Sequence, residues 1–306
     1  MSDRVADAAA ALSRGDLVLL PTETVYGLAA DAGNAEAVAR IFAAKGRPRF
    51  NPLIAHVDSV EAASRVGRMT PIAEALAARF WPGPLTLVLA VLADSPVCDL
   101  ARAGLDSVAV RVPGHPLARA VIGAFGGPVV APSANRSGRP SPTTFGDAVE
   151  ETGAATAVAL DGGDCTVGLE STVVSLLGDR PRLLRPGSVT RAEIEGVVGP
   201  LEADAGEGHR SPGRLTLHYA PDAPVRIEAA DAGSGEILLG FGPGIGEARW
   251  SLSPTGDLTE AATRLFRLLR EADREHPTGI AVSPIPDTGL GEAINDRLRR
   301  AAGFVG

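Results

Sequence analysis

Through residues 1–200, short apolar runs alternate with segments of helical period, and polar side chains collect where each run stops. The run at 16–20 (DLVLL) has strand character and gives way to Pro21-Thr22-Glu23-Thr24. A helix follows, with Asn34 suited to its N-cap, Val38, Ile41 and Phe42 on one face, and Gly46 where a terminating glycine belongs. Its end carries Lys45-Gly46-Arg47-Pro48-Arg49, three cations within five residues, and a new apolar run begins at 53–57. Further helices are predicted at 70–80, stopped by Trp81-Pro82-Gly83-Pro84, at 115–125, and after a Ser-, Gly- and Pro-rich loop that ends at Thr144. Strands are predicted at 85–92, 107–112, 128–131, 157–160, 173–177 and 182–185. Alternating elements of this kind make an α/β domain whose polar strand ends line one concavity.

From Leu201 the periodic pattern lapses, so residues 201–222 read as a linker. A smaller α/β unit is predicted over 223–306, with strands at 225–227, 237–241 and 280–282, a long helix near 258–272 and a closing helix near 290–302. Its glycine run, Gly240 to Gly246, lacks the G-x-G-x-x-G spacing, is interrupted by Pro243 and reads as a turn. Leu215, Leu217, His218 and Tyr219 are unusual for a plain spacer, and such side chains predict docking onto the first domain.

At 306 residues two domains are expected, and with 45% hydrophobic but only 4% aromatic residues the cores are aliphatic. No apolar run reaches the length of a membrane span, and the start (MSDRVADAAAAL) lacks the layout of a signal peptide. Two cysteines, Cys98 and Cys165, are too few for a disulfide framework and fit reduced residues of a cytoplasmic protein. A net charge of −8 argues against broad nucleic-acid binding, so any RNA contact is expected to be local. Lys45 is the sole lysine; all other basic residues, histidines aside, are arginine.

Within 107–112, Val108, Val110 and Val112 share one face and Ser107 and Arg111 the other, which suits either a salt-bridged or a ligand-facing arginine. Taken alone, His56 reads as a core residue, Ser133 and Asn135 as turn residues and Glu170 as a surface charge. There is no G-x-S-x-G elbow, Walker A loop, H-E-x-x-H or C-x-x-C pair, nor a carboxylate cluster that suggests a dedicated metal site. Cations, hydroxyls and amides at strand ends suit binding a polyanion and orienting a small polar substrate.

The motifs PTETVYGL, KGRPRFNPLIAH, FWPGPLTLVL, VAVRVPGHP, APSANRSGRPSPT, GLESTVV and RPGS together resemble the YrdC/Sua5 family of threonylcarbamoyl-AMP synthases, and SPGRLTLHYAP before a small α/β domain resembles its longer Sua5 form. The resemblance implies a twisted mixed sheet with a concave site, followed by a Rossmann-like domain. It implies condensation of L-threonine, bicarbonate and ATP into threonylcarbamoyl-AMP and pyrophosphate, with Mg²⁺ carried on the triphosphate. A downstream transferase would then use the product to form threonylcarbamoyl-adenosine in ANN-decoding tRNAs. By the family pattern Thr24, His56, Arg111 and Ser171 bind threonine, and Arg47, Asn51, Ser107, Ser133, Ser141 and Arg185 bind ATP. Lys45 and Asn135 line the same concavity, Lys45 and Arg47 carry the charge neutralisation, and His218 and Tyr219 belong to a lid at 209–221. The alternatives are a non-catalytic RNA-binding module of this fold and a carbamoyl-adenylate enzyme of hydrogenase maturation; members of the latter kind carry upstream segments, whereas this chain begins directly with the synthase domain.

Overall fold

The computed structural model describes residues 2–48, 50–202 and 218–303, so Arg49, Arg210, Arg214, Leu215, Leu217 and most of the expected lid lie outside the described residues. Among the described residues nine strands form one mixed sheet: β1 (Val18–Leu20), β2 (Gly27–Asp31), β3 (Ile54–His56), β4 (Leu85–Ala90), β5 (Ser107–Arg111), β6 (Val129–Val130), β7 (Val158–Ala159), β8 (Thr172–Ser175) and β9 (Arg182–Arg185). Their order is β7-β1-β2-β6-β3-β5-β4-β8-β9. β3 runs parallel to β5, and β4 parallel to β8, while β4 and β5 are antiparallel.

Local chemistry fixes the helices that brace this sheet. Asn34 Oδ1 accepts from Glu36 N at 3.0 Å and Ala37 N at 3.1 Å, and Gly46 closes the Ala35–Lys45 helix at φ 60°. Thr70 caps Pro71–Phe80, and His115 Nδ1 accepts from Leu117 N to open Pro116–Phe125. One sheet face buries Val108, Val110 and Val112 against Val38, Ile41 and Leu76. The other carries a small cluster of Ile54, Val88, Ala109, Val173 and Leu184, the floor of the concave side. The N-terminal Ser2–Ser13 helix, β2 and the Arg191–Val198 helix were not expected from the apolar pattern. They are rich in alanine and glycine, or short, so their period is weak.

A second sheet, all parallel, contains β10 (Val225–Arg226), β11 (Glu236–Phe241), β12 (Ser251–Ser253) and β13 (Gly279–Val282) in the order β10-β13-β11-β12. The run after β11 is a turn, with Gly242, Gly244 and Gly246 all at positive φ. The Leu258–Arg274 and Leu290–Ala301 helices both send side chains into the first unit, and the second core extends to Val25 and Leu169. No helix among the described residues is long and apolar enough to cross a membrane.

Candidate active site

The carboxyl ends of β3 and β5, the start of β8 and the end of β9 converge on a cavity on the concave side. It is lined by Thr24, His56 and Arg111, by Arg47, Ser133, Arg185, His218 and Tyr219, and by Ser171, which touches Arg185 between the two groups. All four residues assigned to threonine by the family pattern therefore face one space.

Arg111 is fixed by three partners. Its Nε donates to Gly83 O at 3.1 Å, its Nη1 to Thr24 Oγ1 at 2.9 Å and its Nη2 to Glu23 Oε1 at 2.5 Å. Burial alone would raise the Glu23 carboxyl, but the Arg111 charge and hydrogen bond together with backbone N–H donors such as that of Gly114 outweigh it and hold the group below its ordinary value. Among the described residues each terminal nitrogen of Arg111 makes one such bond, which leaves a second N–H on each for an anionic ligand. Thr24 is held in turn by Thr22, whose hydroxyl lies 2.8 Å away. His56 sits beside Arg111 in the β3–β5 register, and its Nδ1 lies 3.1 Å from Ile54 O. Burial and the Arg111 charge lower its pKa to about 3, so the ring is neutral. Since a carbonyl can only accept, Nδ1 carries the proton and Nε2 is an acceptor. Ser171 Oγ lies 2.8 Å from Thr86 Oγ1 and accepts from Arg185 Nη2 at 3.2 Å.

At the other end, burial lowers the Arg47 guanidinium to about 10, and its Nε has no partner among the described residues. Lys45 does not line the cavity. Its buried ammonium donates to the carbonyl of Ser133 at 2.5 Å and to that of Asn135. Burial, with Arg47 beside it, holds Lys45 well below the ordinary lysine range. Asn135 turns inward, its Nδ2 donating to Arg136 O at 2.7 Å and Arg139 O at 2.9 Å. Ser141 is wholly buried and donates to Glu170 Oε1. Asn51 and Ser107 are buried outside the lining, Ser107 opening β5 at the end opposite Arg111. The structure thus gathers Thr24, Arg47, His56, Arg111, Ser133, Ser171 and Arg185 around the cavity, while Lys45, Asn135 and Ser141 brace the loop at its wall.

Glu170 corrects its sequence reading as a surface charge. It is 6% exposed, and its Oε2 accepts from Arg297 Nε at 2.8 Å. His218 and Tyr219 are also buried, with rings 3.9 Å apart, and Tyr219 packs on Phe266 at 5.3 Å. Burial, then the charges of Arg47 and Lys45, keep His218 well below its usual pKa, so it too is neutral.

Two family profiles cover nearly the whole chain. The Sua5/YciO/YrdC profile, described as "Telomere recombination", matches residues 10–187, and the "Threonylcarbamoyl-AMP synthase, C-terminal domain" profile matches 189–303. A Bacillus subtilis threonylcarbamoyl-AMP synthase is 41% identical, with 98% of this chain and 93% of that protein covered. The crystal structure of Pyrococcus abyssi Sua5 complexed with L-threonine superposes with a TM-score of 0.88 at 38% identity, covering 98% of this chain and 94% of that one. The chain belongs to the Sua5 family of threonylcarbamoyl-AMP synthases. A shorter putative synthase from Mycobacterium tuberculosis is 40% identical but covers only 64% of this chain, at 89% of its own length. The Sua5 form therefore differs from such relatives by its second unit, which is where the residue that sequence reasoning missed resides. Arg297 lies on the apolar stripe of its helix, three residues after Ile294 and four before Ala301. That placement is a legible signal for a buried charge.

Proposed function

We propose that this chain condenses L-threonine, bicarbonate and ATP into threonylcarbamoyl-AMP, releasing pyrophosphate, in the cavity between Arg111 and Arg47. The observation that carries this reading is the placing, around one cavity, of Arg111 and its remaining N–H groups with the cations Arg47 and Arg185. Arg111 binds the threonine carboxylate, and Nε2 of neutral His56 and the Thr24 hydroxyl oxygen accept from its hydroxyl and amine. The neutral amine bonds to the carbon supplied by bicarbonate, with loss of water. A carbamate oxygen then attacks the α-phosphorus, and the P–O bond to pyrophosphate breaks. Carbamate is a weak nucleophile, so proximity and charge neutralisation by Arg47 and Arg185 supply most of the rate.

Glu170 is the one carboxylate among the described lining residues, and its oxygens are taken by Ser141 and Arg297. The donors present fit phosphate oxygens, and Mg²⁺ arrives with the triphosphate as part of the substrate. His218 and Tyr219 cover the nucleotide end, where they keep water from a hydrolysable adenylate. A downstream transferase takes the adenylate to ANN-decoding tRNAs, with any tRNA contact local. The test is pyrophosphate release by the purified chain, with mass detection of the adenylate. Release should need threonine and bicarbonate together; equal release without threonine would leave a plain ATP hydrolase.

A further inference from the structure

Residues 138–141 close the loop that begins at Ser133, and each of them is held, directly or through Glu170, from beyond residue 217. Ala220 N donates to Gly138 O at 2.8 Å, Arg139 pairs with Asp273 at 3.2 Å, and Arg270 donates to Pro140 O. Ser141 is reached through a relay. Its hydroxyl donates to Glu170 Oε1, and Glu170 Oε2 accepts from Arg297 Nε at 2.8 Å. Arg297 also donates to Pro186 O at 3.1 Å and lies with its guanidinium carbon 5.4 Å from the Tyr219 ring centroid. Glu170 and Tyr219 line the cavity, and Pro186 follows Arg185, which does too.

Fold stability does not account for this arrangement. Arg297 is 0% exposed, and its Nη2 has no partner among the described residues. Arg297 also pairs with Asp296 at 2.7 Å; burying such a charge cluster costs desolvation, and an apolar set in place of all its members together would usually serve stability as well or better. We infer that Arg297 is a positioning residue for the nucleotide end: it orients Glu170 and, through it, Ser141, so that the second unit sets the geometry of ATP binding. The inference rests on the reading above that the 133–141 loop holds ATP.

The experiment compares Arg297→Met, Ser141→Ala and the double variant by calorimetry with ATP and with threonine separately. Arg191→Met serves as a control, since Arg191 pairs with Glu292 across the same two units in a half-exposed setting away from the loop. Arg297→Met should weaken ATP binding by about tenfold or more, the loss expected of a charge-assisted contact, and leave threonine affinity within about threefold. The double variant should lose little more than the worse single one, because both changes break one chain of contacts. Arg297→Lys, which keeps the charge but not the fork, should recover part of the loss, and it carries the same test should the methionine variant not fold. The control should stay within about threefold for both ligands. Additive penalties, unchanged ATP affinity, or ATP and threonine affinities falling together with Tm would overturn the inference and leave Arg297 a structural residue. Absence of synthesis by the unmodified chain with ATP binding intact would strike the functional reading alone.

Discussion

At the Arg111 end of the cavity, polar side chains find their partners within the first unit, whereas at the Arg47 end the wall is a loop hung from the second. Arg111, Glu23 and Thr24 lock one another across strand ends, with Thr22 and Gly83 behind them. The 133–141 loop, by contrast, depends on Arg270, Arg297 and Ala220 from beyond residue 217. The first end is preorganised by a sheet that folds around it; the second is preorganised only when two units dock. On the proposed assignment of the two ends, mutation should uncouple amino-acid recognition from nucleotide recognition.

The largest effect is expected from Arg111→Ala, which strands Glu23 as a buried carboxylate without its cation. Removing one member of a buried pair costs about 3–5 kcal/mol, and threonine affinity should fall by at least about a hundredfold. Denaturation and calorimetry measure both, and loss of ATP binding with threonine retained would reverse the assignment of the two ends. Arg47→Ala should do the opposite, weakening ATP by about 1.5–3 kcal/mol, some 10- to 150-fold, with threonine binding intact.

Gly168→Ala tests the docking itself. Gly168 has φ +77°, and an added Cβ would meet Thr263 Cα at 2.4 Å and Ala262 O at 2.7 Å. Relieving that clash by parting the units should cost about 1–3 kcal/mol in thermal unfolding. ATP affinity should drop while threonine affinity holds; an equal loss of both would mean that the two ends are not separable.

The smallest effect is a slope. His56 and His218 are both neutral in the fold, with pKa values held below the usual histidine range. Their contribution to stability is complete above the unfolded value of about 6.5 and is lost as pH falls, for His56 toward about 3. Each adds up to about 1.4 kcal/mol per pH unit below that value. His56→Gln should flatten the dependence of unfolding free energy on pH between about 6.5 and 5, and an unaltered slope would show that His56 does not titrate differently in the two states.

How much of this was legible in the sequence follows the same division. Arg111 was placed on the correct strand face because a period of two is a local property of SVAVRV. His56 and Ser171 needed the family pattern, since burial against neighbours dozens of residues away leaves no local trace. Lys45 looked like a helix-end cation reaching for phosphate. The fold instead turns it toward two carbonyls 88 and 90 residues away. Glu170 looked exposed because its partner, Arg297, lies 127 residues on in another unit. Pairings between units are what a one-dimensional pattern conveys least.

The burial of Lys45 has a practical corollary. With its one lysine 3% exposed, the folded chain presents no lysine side chain to acylating reagents, amine cross-linkers or acetyltransferases. Isotopic labelling of lysine alone would place a single reporter in the spectrum, seated against the carbonyls of Ser133 and Asn135, and its resonance would follow the loop as ligand is titrated in.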